Sequence, residues 1–238
     1  MLTIIFLVAC LSGIMAAVSG FGIGSLLTPL LSIQMGMSTA VAAVALPHAI
    51  ATALRWWRLR AHVDSRVVRS FGILSAVGGL AGALLYARLG GRTLTIVLGV
   101  LLLLTALAGI TEWTSRVRVS GPVSATMGFL SGFFGGVAGN QGGLRSGALM
   151  SFALSPRAFV ATATATALMV DAARTPVYLY RAGPTLLTLA TPIAVATLGV
   201  LAGTLIGERI LFGLSPARFR RIVCALIGAI GVWLIVRA

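Results

Sequence analysis

Long apolar runs separated by short polar stretches make up almost the whole chain. A helix needs about 20 apolar residues to cross about 30 Å of hydrocarbon, so runs of that length predict transmembrane helices. Eight such segments, bounded by charged residues, Pro or Gly, are predicted: 2–33, 38–57, 67–88, 92–111, 121–152, 157–180, 184–207 and 217–236. The pattern therefore predicts an all-α fold, a polytopic membrane bundle of about eight helical segments.

Two of these segments, 2–33 and 121–152, are too long for a single membrane crossing. A continuous helix over either would extend about 48 Å at about 1.5 Å per residue, well beyond the hydrocarbon thickness. Both segments also carry closely spaced glycines, which allow a chain to leave helical geometry. We therefore expect each to be a glycine-broken or re-entrant helix.

The two overlong segments align with each other when the sequence is shifted by 119 residues, half its length. The match continues without a gap into the following segment, where Arg55 meets Arg174. Such self-similarity predicts two membrane repeats, 1–119 and 120–238, with chance coincidence of small and apolar residues as the alternative. Identical pairs include Ser12 and Ser131, Gly13 and Gly132, Gly20 and Gly139, and Gly24 and Gly143.

Arginine in the connecting loops predicts that the two repeats are inverted. Cytoplasmic loops collect positive charge, so repeats of opposite orientation should concentrate it in different loops. Inversion requires an odd number of crossings per half, and the overlong first segment is the candidate for a re-entrant element. The loop after the second segment contains five arginines, Arg55 to Arg69, whereas the matching loop after the sixth has Arg174 at its edge and Arg181. The loop after the third segment contains two, Arg88 and Arg92, whereas the matching loop after the seventh contains four, Arg209, Arg218, Arg220 and Arg221.

Composition excludes a water-soluble domain. Hydrophobic residues make up 58% of the chain and charged residues 9%, against about 25% charged residues in a soluble domain. The net charge of +14 comes from 18 arginines that lie between apolar runs, so we expect a lipid bilayer as partner and no nucleic acid. Cys10 and Cys224 lie in apolar runs without metal-ligand spacing, and no metal or cofactor is expected.

Both glycine-rich breaks expose backbone that an anion can use. Free N–H groups at the start of a half-helix carry about half a positive charge, and glycine lets a ligand approach them. Paired breaks in two halves are typical of secondary transporters, whose half-helix ends form the substrate site. Close helix packing is the alternative use of these glycines. The predicted substrate-binding residues are Gly20, Gly22, Gly24, Ser25, Gly139, Asn140, Gln141, Gly142, Gly143 and Arg145.

The two glycine-rich signatures resemble those of the sulfite exporter TauE/SafE family, also called toluenesulfonate uptake permease-like transporters. They run from Ser12-Gly13 through Gly24 to Pro29 and from Ser131-Gly132 through Gly143, and the resemblance spans nearly the whole chain. It implies a permease of the bacterial inner membrane for sulfite, sulfonates or small organic anions. The second signature departs from the family's glycine run at Asn140 and Gln141, and Ala148 occupies the place of Pro29.

Arg145 is the first candidate for an anion contact. An ionisable residue at membrane depth is costly and usually faces a cavity or a partner. The planar guanidinium can hold two oxygen atoms at once, as a sulfonate or carboxylate presents them. The alternative is that Arg145 lies near the interface and reaches the lipid headgroups.

Four further side chains in the predicted spans are candidates for gating or coupling: His48, Arg55, Asp171 and Arg174. Asp171 needs a partner, which Arg174 can supply from the same helical face, and a proton relay is the alternative. His48 can titrate during transport or hydrogen-bond across helices. Arg55 and Arg174 can gate opposite faces or anchor the interface, as is expected of Trp56, Trp57, Tyr178 and Tyr180.

The predicted function is an integral-membrane permease for small anions in the cell inner membrane, driven by a proton or Na⁺ gradient. An enzyme is not expected, because two histidines and one buried acid offer neither a catalytic dyad nor ligand spacing. Leu7 to Cys10 has the form of a lipoprotein cleavage box, but a positively charged start is missing, so Met1 onward is read as mature protein. A structural or assembly protein without a central site is the alternative, and a homo-oligomer is compatible with either.

Overall fold

Helices form all the regular structure in residues 1–111, 122–210 and 216–238, which are those that the computed structural model describes; these residues contain no strand. The all-α prediction is confirmed. The described helices are α1 (Leu2–Ser19), α2 (Ile23–Met35), α3 (Met37–Leu59), α4 (Ser65–Tyr86), α5 (Gly91–Thr111), α6 (Pro122–Ala138), α7 (Gly142–Leu149), α8 (Pro156–Thr188), α9 (Ala190–Ile210) and α10 (Pro216–Arg237). The side chains of Arg218 and Arg220, used in the loop counts, lie outside the described set.

Several of the described helices are long and apolar enough to cross a membrane. By length and composition these are Met37–His62, Ser65–Tyr86, Gly91–Thr111 and Ala190–Gly207. Helices α1, α2 and α6 are also apolar but shorter. A bundle of this kind is a multi-pass membrane protein, because helices that satisfy their own backbone are what lipid tolerates.

Each overlong segment is broken within its glycine-rich stretch, so that eight predicted segments give ten described helices. Gly20 (φ 79°) and Gly22 (φ 136°) end α1 and begin α2, and Gly139 (φ 72°) follows α6. Residues other than glycine rarely adopt these backbone angles. The breaks therefore lie where the sequence predicts them, and at positions 119 residues apart.

The chain doubles back at each break. Ser131 in the body of α6 donates a hydrogen bond from Oγ to the carbonyl oxygen of Gln141 just before α7, at 3.3 Å. In the first half, a Cβ placed on Gly22 would lie 2.9 Å from Cβ of Met15 in α1. The second half-helix of each pair thus begins beside the body of the first.

Helix α8 differs from the sequence prediction. The segments 157–180 and 184–207 are predicted as separate, but α8 continues through Pro176 and Pro184 to Thr188, and the interruption falls at Leu189. A proline inside a helix removes only one donor of the hydrogen-bond ladder, and membrane helices tolerate this when neighbouring groups satisfy the backbone. The predicted boundary at 180–184 is therefore wrong.

The first and fourth helices of opposite halves pack in parallel, α1 against α9 and α6 against α4. Backbones approach closely at glycines: a Cβ on Gly203 would lie 1.9 Å from the carbonyl oxygen of Cys10, and one on Gly132 would lie 1.8 Å from that of Ser75. Small residues permit this approach between membrane helices. The signature glycines at 13 and 132 lie in these two contacts and serve packing.

Two pairs of helices, α5 with α10 and α3 with α8, occupy equivalent positions in the two halves of the sequence, pack against each other and run antiparallel. In the contact of α5 with α10, Gly99 lies against Gly231, whereas the later Gly109 lies against the earlier Cys224. Helix α3 crosses α8 in the same sense. The α3–α8 crossing brings the polar side chains of both halves together beside the two breaks.

Candidate functional site

The two backbone breaks lie against each other. A Cβ on Gly24, in the first turn of α2, would lie 2.3 Å from the carbonyl oxygen of Gly139 in the other break. A Cβ on Gly142, at the start of α7, would lie 2.1 Å from Cβ of Phe21. The predicted residues of both halves therefore occupy one region of the molecule.

Arg145 joins the two breaks. Its side chain lies in α7, is 2% exposed, and donates from Nη2 to the carbonyl oxygen of Gly20 at 2.9 Å. Its Nε and Nη1 atoms are buried and have no hydrogen-bond partner among the described residues. The alternative that this side chain reaches the lipid headgroups is wrong, because the guanidinium is enclosed by protein.

Unpaired polar atoms are concentrated in the residues of the two breaks and the helix starts that follow them. Asn140 and Gln141 are 5% and 3% exposed, and within the described part of the chain the Nδ2 of one and both amide atoms of the other lack a hydrogen-bond partner. The hydroxyls of Ser25 and Ser146 are buried without a partner in the same set. Buried polar groups are nearly always paired in folded proteins, so this concentration of unpaired ones marks a place for a polar ligand.

The starts of α2 and α7 lack side-chain caps. Gly22 and Gln141 occupy the N-cap positions, and neither makes a side-chain capping hydrogen bond. The first amides of a helix have no partner within the helix, and the dipole makes this end positive. Both half-helices thus turn a positive end into the region between the breaks.

The predicted glycines do not all serve one purpose. A Cβ on Gly143 would collide with the side chain of Thr105, as one on Gly142 would with Phe21, so protein packing accounts for the missing side chain at both positions. Gly20 has no atom within 4 Å of its Cβ position and owes its identity to the positive φ. Of the two uses weighed from the sequence, close packing is present at Gly142 and Gly143, and approach of an anion to the backbone stays a prediction.

Arg55 and Arg174 make the same contact in the two halves. Arg55 Nη1 donates to the carbonyl oxygen of Ala16 in α1, and Arg174 Nη1 donates to that of Gly135 in α6. Each guanidinium lies against the last turn of a broken helix, where the carbonyl dipoles favour a cation. The two arginines are 3% and 1% exposed, so the alternative that they anchor the interface is wrong, and a role in gating stays a prediction.

A buried polar cluster connects α3 with α8. Asp171 Oδ1 accepts from Arg174 Nε at 3.0 Å and lies 2.8 Å from its Nη2, which confirms the pair predicted within α8. The second oxygen, Oδ2, lies 2.7 Å from His48 Nδ1 in α3. Thr52 Oγ1 lies 3.4 Å from the same ring nitrogen. His48 therefore hydrogen-bonds across helices, one of the two roles weighed for it.

Tyr178 is a residue of this region that sequence reasoning missed. It is fully buried and donates its hydroxyl to the carbonyl oxygen of Gly136, so its prediction as an interface anchor is wrong. Tyr180, by contrast, is 86% exposed. The helical spacing contained the signal, since Tyr178 follows Arg174 by four residues on the same face of α8.

A comparison of the sequence with protein families gives a match over nearly the whole chain. The model of a family described as "Sulfite exporter TauE/SafE" matches residues 5–234, which is nearly the whole chain. Neither the curated proteins nor the solved structures give a match. The matched range includes both breaks and every predicted site residue.

Proposed function

Because the chain belongs to the sulfite exporter TauE/SafE family, whose members are transporters and not enzymes, we propose that it is a permease for sulfite, organosulfonates or similar small organic anions. Membership in this family supports membrane transport of a small anion. The proposal adds the site: the anion lies between the two breaks, bound by backbone N–H groups of α2 and α7 and by Arg145. The membrane is the inner, or plasma, membrane of the cell.

The single observation that carries this proposal is the set of buried polar atoms without a partner in the residues of the two breaks, among them Nε and Nη1 of Arg145. Leaving a buried polar group without a partner costs about 1–3 kcal/mol, and more for a charged one. A guanidinium with two open donor atoms, beside two side-chain amides and two uncapped helix starts, is suited to accept the oxygens of a sulfonate or carboxylate.

The balance of buried charge favours the same ligand. The buried charged side chains of the described residues are Arg55, Arg145, Arg174 and Asp171, so the arginines exceed the acid by two positive charges when His48 is neutral. Arg55, Asp171 and Arg174 all act electrostatically on Arg145. Arg145 makes no ion pair among the described residues, and a buried charge without a counter-charge is unfavourable, so an anion between the breaks would stabilise it.

The two predicted repeats, 1–119 and 120–238, fit this proposal as inverted halves around the site. The inverted arrangement is supported by two pairs of equivalent helices that run antiparallel where they touch, α3 with α8 and α5 with α10. In this proposal both broken pairs are re-entrant, so that α3, α4 and α5 cross in one half and α8, α9 and α10 in the other, an odd number per half, as inversion requires. Half-helix ends near the middle of the membrane are then contributed by both repeats.

Thermal unfolding of the detergent-purified protein tests the site. Sulfite, sulfoacetate, sulfolactate and short carboxylates are added separately, and a ligand at about a hundredfold excess over its Kd stabilises the native state by about 2.7 kcal/mol. We expect at least one anion to raise the melting temperature of the wild type and to lose this effect in Arg145→Gln. The matched control is Arg157→Gln, which alters an exposed arginine at the start of α8 and should preserve the shift.

Flux into proteoliposomes distinguishes a permease from a structural or assembly protein. Uptake of the stabilising anion should fall in Arg145→Ala and Gln141→Ala and persist in Arg157→Ala. Unchanged flux in the first two variants, or no stabilisation by any anion of the panel, would contradict a central anion site.

A further inference from the structure

The contact between His48 and Asp171 leaves one specific place for a proton. Asp171 already accepts two contacts from Arg174, so it is a carboxylate whose charge is matched, and a carboxylate can only accept hydrogen bonds. His48 Nδ1, at 2.7 Å from Oδ2, must therefore carry the shared hydrogen. The neutral ring is the Nδ1–H tautomer, and its Nε2 keeps the lone pair that can bind a further proton.

Burial makes the imidazole, and not the carboxylate, the group that a proton can reach. The side chain of Asp171 is completely enclosed, whereas 11% of the His48 side chain remains exposed. The charged groups that act on His48 are Asp171 and Arg174 from α8 and Arg145 from α7. Of the other helices that pack on α3, α2 contains no titratable side chain, α9 carries Glu208 and Arg209 at its end, and α5 carries Arg92 at its start. Proton binding at Nε2 thus adds a positive charge within electrostatic range of Arg145.

We propose that His48 is the proton site of the transporter and that its proton and the anion bind cooperatively, so that both move in the same direction. This rests on the proposed function, because it assigns the coupling ion of that site. Since Asp171 already balances Arg174, a proton on His48 leaves these three side chains with one net positive charge until an anion is bound near Arg145. By linkage the anion raises the affinity for the proton and the proton raises the affinity for the anion by the same factor.

The internal repeat supports a dedicated role for this pair. The residue 119 positions before Asp171 is Thr52, and the residue 119 positions after His48 is Ala167. The arginine contact therefore occurs once in each half, whereas the pair of titratable residues occurs in one place only. His48 takes no part in either arginine contact, whose acceptors are the carbonyl oxygens of Ala16 and Gly135. The unduplicated pair is therefore available for coupling.

Proton uptake on anion binding tests the inference. Sulfoacetate is added to weakly buffered, detergent-purified protein containing a pH dye, because both of its acidic groups stay ionised near neutral pH and any proton taken up is bound by the protein. We expect uptake approaching one proton per anion, and an affinity about five-fold or more higher near pH 6 than near pH 8.

Two variants separate coupling from structure. His48→Gln keeps hydrogen-bonding capacity but does not titrate in this range, so it should bind sulfoacetate without proton uptake and with an affinity independent of pH. His62→Gln, which alters the exposed histidine after α3, should retain both properties of the wild type. Asp171→Asn is less informative because it leaves Arg174 buried without its acid.

The outcomes distinguish this inference from the proposed function. Anion binding without proton uptake in the wild type, or uptake that persists in His48→Gln, overturns the proton site and leaves the permease intact. Absence of sulfoacetate binding at every pH, together with absence of binding by the other anions of the panel, overturns both.

Discussion

The guanidinium of Arg55 donates a hydrogen bond to the carbonyl oxygen of Ala16, 39 residues earlier, and Arg174 does the same to Gly135 across the same separation. Both acceptors lie in the last turn before a break. In a membrane, backbone groups released by a break need partners within the protein, because lipid offers none. The two arginines are therefore the side chains that make broken helices tolerable in each half.

We expect the two arginine contacts to differ in energy although their geometry is the same. Arg174→Gln leaves Asp171 as a buried acid without its cation, which typically costs about 3–5 kcal/mol. Arg55→Gln loses the hydrogen bond to the carbonyl oxygen of Ala16, and a buried acceptor left without its donor costs about 1–3 kcal/mol. Chemical unfolding in detergent micelles measures both, and equal losses would show that Asp171 does not depend on Arg174.

Gln141→Leu should trade stability for function. The amide of this side chain is buried and has no partner among the described residues, so an apolar residue of similar size removes a desolvation cost of about 1–3 kcal/mol. The melting temperature without ligand should rise and the stabilisation by anions should fall. An unchanged anion response would assign Gln141 to packing; Arg157→Leu is the exposed control.

Gly24→Ala should separate the two breaks. The added Cβ would lie 2.3 Å from the carbonyl oxygen of Gly139, which cannot move without displacing the second break. Overpacking of this kind costs about 1–3 kcal/mol, and we expect the anion response to be lost with it. Gly183→Ala in α8 is the matched control, because its Cβ would meet no atom within 4 Å and alanine favours a helix. A full anion response in Gly24→Ala would contradict a site between the breaks.

The inverted arrangement predicts opposite accessibility of equivalent positions. His62 and Arg181 are 119 residues apart and both are exposed, so single cysteines at these positions should react with a membrane-impermeant thiol reagent from opposite sides of the membrane. The background replaces Cys10 and Cys224 with alanine, and retained flux in that background is the control. Labelling of both cysteines from one side would exclude inversion.

Local sequence pattern predicts the elements that depend on neighbouring residues. Apolar runs of membrane length predict an all-helical bundle, and the glycines at 20, 22 and 139 predict the breaks because few other residues adopt positive φ. The pairing of Asp171 with Arg174 follows from helical spacing alone. The end of α8 does not, because whether Pro184 interrupts a membrane helix depends on the groups packed around it.

What the sequence by itself determined is therefore the fold class, the position of both breaks and the buried residues that need partners. Only the tertiary structure decided which partners they have. Arg145 meets Gly20 from 125 residues away, and His48 meets Asp171 from 123 residues away. No periodicity encodes such contacts, since they exist only once the packing of helices from both halves fixes which side chains share a dry interior with no water to replace them.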